Sequence, residues 1–132
     1  MVIRVFVLLI LIANALQGAA IKGGEAIEVG GIKQWIQFDG EDDKAPVLLF
    51  LHGGPGNSAI SYSGRFTNEL KKHFIVVLWD QRESGQTLSL NKSPQPLTVF
   101  LFIDDAIEVI EYLSTKYNQR KIYLAGHSWV AI

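Results

Sequence analysis

The feature that most restricts the fold is a set of three short, largely apolar runs, at residues 46–51, 74–79 and 121–125. Runs of this length without polar alternation are typical of strands buried on both faces of a sheet. Helical patterns separate them: apolar residues recur every four positions within 62–70, and Thr98 is predicted to cap a longer helix that ends near Asn118. Strands that alternate with helices predict a mostly parallel sheet, so the predicted fold class is α/β.

A β-hairpin is predicted ahead of these runs, because polar and apolar residues alternate at 26–29 and 33–38 around Gly30 and Gly31. One face of this hairpin is expected to be solvated. The polar stretch 81–95, with its Gly and Pro residues, is predicted to be a long loop. The predicted long helix carries two adjacent apolar rows, and its acidic residues are expected on the far side from them. These are Asp104, Asp105, Glu108 and Glu111.

Residues 1–20 have the pattern of a secretory signal. Arg4 precedes an apolar run at 5–13, and small residues follow at Ala13 and Ala15. A positive start, a short apolar run and an Ala-x-Ala site are typical of a cleaved signal peptide. The run is shorter than the about 20 apolar residues that a bilayer span needs. We therefore expect export to the periplasm or the medium. An uncleaved membrane anchor and a misassigned start codon are the alternatives.

Composition and charge exclude several function classes. The 132 residues suffice for one domain, and the net charge of -1 comes from both signs scattered along the chain, so no nucleic-acid binding is expected. The chain has no cysteine, which excludes disulfides, thiolate metal sites and cysteine nucleophiles. His73 and His127 lack the spacing of zinc ligands. We therefore expect no metal and no other cofactor.

The residues Gly-His-Ser-Trp-Val follow the third apolar run, at 126–130. They match four of the five positions of the Gly-x-Ser-x-Gly nucleophile elbow, in which a sharp strand-to-helix turn presents a serine hydroxyl. Val130 stands where this motif has glycine, and a branched side chain there is expected to crowd or strain the turn. Ser128 is therefore the candidate nucleophile, and a chance turn sequence is the alternative.

A glycine-rich loop follows the first apolar run, at the carboxyl end of a predicted strand, where open α/β sheets form their sites. Its residues are His52, Gly53, Gly54, Pro55 and Gly56. Consecutive glycines leave backbone N–H groups free to bind an oxyanion. An ordinary turn is the alternative, and His52 by itself is expected to pack the loop rather than to react. A third polar sequence, which begins with Asp80, Gln81 and Arg82, follows the second run. Asp80 and Arg82 are expected to lock it through a bidentate ion pair or backbone contacts.

The sequences HGGPG, WDQRESG and GHSW, each after a successive predicted strand, resemble those of the proline iminopeptidase branch of the α/β-hydrolase superfamily. The resemblance extends from about Glu25 to Trp129. It implies that Ser128 is the nucleophile and that the backbone N–H groups of Gly54 (or Gly53) and Trp129 form the oxyanion hole. No cofactor is implied.

The resemblance also implies that Asp80, Gln81 and Arg82 shape the floor of the site. In this superfamily the triad acid and histidine follow the serine along the chain. Because Asp80 precedes Ser128, its role is expected to be structural rather than catalytic. Glu83 stands where the family usually has glycine, which bears on the conformation of this loop.

The fold implied for residues 25–132 is the N-terminal half of an α/β-hydrolase: a β-hairpin followed by parallel strand-helix-strand-helix-strand. No histidine or carboxylate follows Ser128, so the 132-residue chain is expected to be an incomplete and inactive fragment. The implied function is a serine hydrolase that cleaves an N-terminal residue, such as proline, or a small amide through an acyl-enzyme. An ester or lactone hydrolase is one alternative, and a non-catalytic degenerate product is another.

Overall fold

The structure is a computed structural model that describes residues 18–128. Trp129, Val130 and most of the predicted signal segment lie outside the described residues. The elements in chain order are β1 (Ile21–Val29), β2 (Ile32–Gly40), β3 (Val47–Leu51), α1 (Gly64–Leu70), β4 (Ile75–Asp80), α2 (Gly85–Leu90), α3 (Val99–Lys116) and β5 (Tyr123–Gly126). A 3₁₀ turn, Ile60–Tyr62, precedes α1. Within the described range no helix has the length and apolar character of a membrane span.

The five strands form one sheet in the order β1-β2-β4-β3-β5. β2 is antiparallel to both β1 and β4, whereas β3 is parallel to both β4 and β5. This arrangement confirms the predicted α/β class, with a hairpin followed by three parallel strands. Because β3, β4 and β5 are parallel, the segments that follow these three strands leave the sheet at the same edge.

The β1–β2 hairpin turns at Gly30 and Gly31, whose φ angles of 55° and 76° are those of a two-residue primed turn. Ile27 and Ile36 are buried on its inner face, and Lys33 is exposed on the other, which confirms the prediction of one solvated face. The inner face packs with the other strands and α3 into one core. Its buried members are Ile27, Val29, Ile36, Val47, Leu49, Ile75, Val77, Trp79, Val109 and Leu113.

The prediction of a loop throughout residues 81–95 is wrong, because α2 lies within it. This helix has six residues and too few apolar ones for a helical period to show in its sequence. Its first turn is capped from outside: the Asp80 Oδ2 atom accepts a hydrogen bond from the Gln86 N–H at 2.8 Å. A cap supplied by a preceding strand does not follow the usual sequence signal of a helix start.

Asp105 is fully buried, so the prediction that it lies on the far side of α3 is wrong. The buried face of this helix consists of Phe102, Asp105, Val109 and Leu113. A carboxylate is accommodated there because the Arg82 guanidinium, from a different element, contacts it directly. The predicted start of α3 is confirmed: the Thr98 side chain accepts a hydrogen bond from the Leu101 N–H at 3.2 Å.

β5 pairs with β3 along one side and, among residues 18–128, with no strand along the other. Tyr123 and Leu124 are 53% and 52% exposed, so the prediction of a strand buried on both faces is wrong for the described part of the chain. The parallel pairing, which sets Leu51 opposite Gly126, places the end of β5 and the turn that follows it beside the end of β3.

Candidate active site

Ser128 lies on the turn that follows β5 and is exposed. Its φ of 63° is in the left-handed region, which costs an L-residue about 1–2 kcal/mol. A nucleophile elbow holds its serine on this kind of strained turn after a strand. The turn is attached to the sheet, because the His127 N–H donates to the Leu51 carbonyl oxygen at 3.1 Å. The Ser128 side chain is therefore carried at the carboxyl edge of the sheet.

The glycine-rich loop after β3 lies directly against this turn. A Cβ atom built on Gly53 would lie 3.0 Å from the Ser128 Cβ and 3.0 Å from the His127 Nδ1. Gly54 has a φ of 141°, and a Cβ there would lie 2.7 Å from the Gly56 nitrogen. A side chain at position 54 would therefore collide with the loop backbone, and one at position 53 would require the Ser128 turn to shift by a few tenths of an ångström. Glycine at position 53 lets the loop backbone approach the Ser128 turn closely, and glycine at position 54 adopts its φ of 141° without strain.

The His52 side chain is buried between this loop and the segment after β4. Its Nδ1 lies 2.6 Å from the Gly53 carbonyl oxygen, and its Nε2 accepts a hydrogen bond from the Gln81 backbone N–H at 3.1 Å. This arrangement places the single proton of a neutral ring on Nδ1. Burial lowers the pKa of His52 below its ordinary value, although the Gly53 carbonyl and the charge of Asp80 act in the opposite direction. The ring therefore holds the loop as a neutral imidazole.

We expect acidification to destabilise the chain through His52. The unfolded state takes up a proton near pH 6.5 and the folded state only at lower pH, so the free energy of unfolding should fall as the pH drops from about 7.5 to about 5.5. The slope is at most about 1.4 kcal/mol per pH unit. His52→Asn should reduce it, whereas His73→Gln, at an exposed position, should not. Urea unfolding at several pH values measures the pH dependence of the free energy of unfolding for each variant. An equal dependence for His52→Asn and the parent chain would contradict the prediction.

Of the two alternatives predicted for Asp80 and Arg82, a bidentate ion pair or backbone contacts, the structure shows the second. The Asp80 carboxylate instead accepts hydrogen bonds from the Ser58 hydroxyl and the Gln86 N–H. The Arg82 side chain extends toward the β1–β2 turn, where its Nη2 donates to the Gly30 carbonyl oxygen at 2.7 Å. The alternative of backbone contacts thus describes Arg82 better than a pair with Asp80.

A buried polar network surrounds the Arg82 guanidinium. Its Nε donates to the Asp105 Oδ2 at 2.5 Å and its Nη2 to the Asp105 Oδ1 at 3.0 Å. The Gln34 Nε2 donates to the same carboxylate at 2.8 Å, and the Gln34 Oε1 accepts from the Trp79 Nε1 at 2.9 Å. These four residues, called here the Arg82 network, join the hairpin, β4 and α3. Polar residues at core-facing positions of the hydrophobic pattern, Gln34 and Asp105, are the sequence signal of this network.

Glu83 adopts a φ of 57°, the conformation in which glycine is favoured. Glycine, which the resembled family usually has at this position, adopts such a φ without strain. The Glu83 side chain offsets part of the strain, because its Oε1 accepts a hydrogen bond from the Ser93 N–H at 2.5 Å. The loop therefore keeps a left-handed residue despite the substitution.

His52 is buried in the loop contact, whereas His73 and His127 are exposed. Over the part of the chain that the structure describes, no group of three or more histidines and carboxylates is arranged to hold a metal ion. The groups brought together at the sheet edge are the Ser128 turn and the glycine-rich loop. Trp129, predicted as the second oxyanion donor, lies outside the described residues.

The chain is similar in sequence to a known protein family and to proteins of known name. Residues 46–129 match the family model of the alpha/beta hydrolase fold. The chain is 44% identical over 106 residues to the probable aminopeptidase YbaC of Bacillus subtilis (strain 168), and the match covers 80% of this chain and 33% of that one. The chain spans about a third of the length of this relative.

Two solved structures are similar as well. A proline iminopeptidase-related protein of Thermus thermophilus is 27% identical with a TM-score of 0.65, covering 81% of this chain and 36% of that one. The epoxide hydrolase VrEH1 of Vigna radiata is 25% identical with a TM-score of 0.65, covering 82% of this chain and 31% of that one. The amino-acid identity is higher to the protein named as an aminopeptidase than to either of these.

Proposed function

Because the chain belongs to the alpha/beta hydrolase fold family, we propose that it carries the nucleophile of a serine hydrolase of the aminopeptidase type. The observation that carries the proposal is the juxtaposition at the sheet edge. Ser128 has a left-handed backbone on the turn after β5, and the backbone of Gly53 lies against it. A serine on a strained turn beside free glycine amides is the arrangement that acyl transfer needs.

In the proposed reaction the Ser128 Oγ attacks the acyl carbon of the substrate. The charge that develops on the acyl oxygen is bound by the backbone N–H of Gly54 or Gly53 together with that of Trp129. Collapse of the tetrahedral intermediate releases the amine, which takes up a proton, and leaves an acyl ester on Ser128. Water then hydrolyses this ester and restores the serine.

The reaction needs a general base, because a serine hydroxyl is a weak nucleophile at neutral pH. Within residues 18–128 no histidine nitrogen or carboxylate oxygen is hydrogen-bonded to Ser128. We therefore propose that the base and its carboxylate partner come from residues beyond these 132. The substrate in this proposal is a small peptide with a free N-terminal residue, in line with the name of the Bacillus subtilis relative.

A hybrid protein tests the proposal. Residues 21–132 replace the matching segment of YbaC, so that the remainder of the relative supplies the missing base and carboxylate. We expect this hybrid to release 4-nitroaniline from L-proline or L-leucine 4-nitroanilide. Hydrolysis of 4-nitrophenyl butyrate without any anilide cleavage would instead indicate an ester hydrolase. A folded hybrid that cleaves none of these substrates, while unaltered YbaC does, would contradict the proposal.

A further inference from the structure

The side chain of Gln81 is buried with one half of its amide satisfied and the other half not. It is 1% exposed, and its Nε2 donates to the His52 carbonyl oxygen at 3.2 Å. Its Oε1 has no hydrogen-bond partner in the described part of the chain. A buried polar atom without a partner costs about 1–3 kcal/mol. An apolar side chain of the same length would avoid this cost but would also remove the donor to the His52 carbonyl, so the two effects on stability oppose each other.

The Gln81 amide fixes the orientation of the peptide that joins His52 to Gly53. In a trans peptide the carbonyl oxygen and the following N–H point in opposite directions. The His52 carbonyl faces the buried Gln81 amide, so the Gly53 N–H points away from it. The same holds for the next peptide, because the Gly53 carbonyl faces the buried His52 ring and the Gly54 N–H therefore points away from that ring.

Gln81 contributes to both of these constraints. Its side chain binds the His52 carbonyl, and its backbone N–H donates to the Nε2 of the ring that holds the Gly53 carbonyl. Two successive carbonyls are thus turned toward buried groups, and two successive N–H groups are turned the other way. Over residues 18–128, neither the Gly53 nor the Gly54 N–H donates to a protein acceptor. Both glycines belong to the loop that lies against Ser128.

We propose that Gln81 is a positioning residue, which holds the loop so that the Gly53 and Gly54 amides face an oxyanion formed at Ser128. Gln81 itself does not touch the reacting atoms in this account. The inference rests on the proposed function, because an oxyanion forms at this place only if Ser128 attacks an acyl group. In this role the Gln81 amide stabilises the transition state more than it stabilises the bound substrate.

Gln81→Met in the hybrid tests this role, since methionine has a similar length and no donor. We expect kcat to fall by roughly 10- to 100-fold. Deleting an oxyanion donor itself lowers kcat by about 10²- to 10³-fold, and the loss here should be smaller because the N–H groups remain. KM should change little. The inhibition constant of a trifluoromethyl ketone analogue of the substrate, which forms a tetrahedral oxyanion with the serine, should rise in parallel with the loss of kcat/KM. The melting temperature should change little, because removal of the unsatisfied Oε1 offsets the lost hydrogen bond to the His52 carbonyl.

Gln86→Met is the matched control, because it makes the same chemical change at an exposed side chain five positions along the chain. It should leave kcat, the inhibition constant and the melting temperature unchanged. If the Gln81→Met hybrid does not fold, Gln81→Leu is measured in its place. A variant that loses thermal stability but keeps kcat per folded molecule would assign Gln81 a purely structural role and overturn the inference.

The outcomes also separate this inference from the function it rests on. An active hybrid whose kcat is unaffected by the loss of the Gln81 amide refutes the positioning role alone. A folded hybrid without Ser128-dependent hydrolysis refutes the proposed function, and the positioning role with it. A parallel loss of kcat and of analogue binding, with KM and melting temperature preserved, supports both.

Discussion

Replacing Ser128 by alanine in the hybrid should lower kcat by about 10⁴- to 10⁶-fold, as expected when the nucleophile of a serine triad is removed. The substrate KM should change little, because the alanine leaves the loop and the turn in place. The initial rate of 4-nitroaniline release at saturating substrate measures the effect. A fluorophosphonate probe, which reacts with activated serines, should label the parent hybrid and fail to label the variant.

Ser61→Ala is the control for this substitution, because Ser61 is an exposed serine outside the sheet edge. It should leave both the rate and the labelling unchanged. A Ser128→Ala hybrid that retains more than a few per cent of the rate would show that another group is the nucleophile. Residues 1–132 without the YbaC part should show no turnover above background in the same assay, since no histidine nitrogen or carboxylate oxygen within residues 18–128 is hydrogen-bonded to Ser128.

Replacing Asp105 by asparagine should destabilise the chain by about 3–5 kcal/mol, the usual cost of removing one partner of a buried ion pair. Asparagine keeps the size of the side chain but leaves the fully buried Arg82 guanidinium without a counter-charge. Urea unfolding followed by circular dichroism measures the change. The expected loss is a large part of the roughly 5–15 kcal/mol that typically separates a folded domain from its unfolded state.

Asp104→Asn is the matched control, because Asp104 is the adjacent carboxylate on the exposed side of α3. It should change the free energy of unfolding by less than about 0.5 kcal/mol. The double variant Arg82→Met/Asp105→Leu should recover part of the loss, since a buried ion pair can be replaced by apolar residues at small cost. Arg82→Met and Asp105→Leu are also measured singly. A double variant destabilised by at least the sum of these two single losses would show that the charges do not act as a pair.

Local sequence patterns predicted most of the elements, because these depend on residues near each other along the chain. Alternation around Gly30 and Gly31 predicted the hairpin, and Thr98 predicted the start of α3. The position of β3 between β4 and β5 has no such local signal, because strand order depends on how distant segments pack. The same reason explains why α2 was missed: its cap is the Asp80 carboxylate, at the end of β4.

The candidate site shows the same division. The Gly-x-Ser sequence predicted a turn after a strand, and the structure gives Ser128 a left-handed backbone there. The sequence left the contacts of Arg82 open between Asp80 and the backbone, and the fold adds a partner that neither alternative named, Asp105 from α3. Charged residues are usually assigned to the solvated side of a helix. A carboxylate that is buried against a distant arginine violates this rule, and sequence periodicity does not reveal it.

The Arg82 network has a consequence for the synthesis of the chain on the ribosome. The Gly30 carbonyl meets its donor 52 positions later, and Gln34 meets Asp105 71 positions later. At translation rates of about 5–20 residues per second, the hairpin waits about 4–14 s for Asp105 to be made. During this interval its apolar inner face has no α3 to cover it. Slower decoding of residues 35–105 would therefore lengthen the time during which this face is exposed.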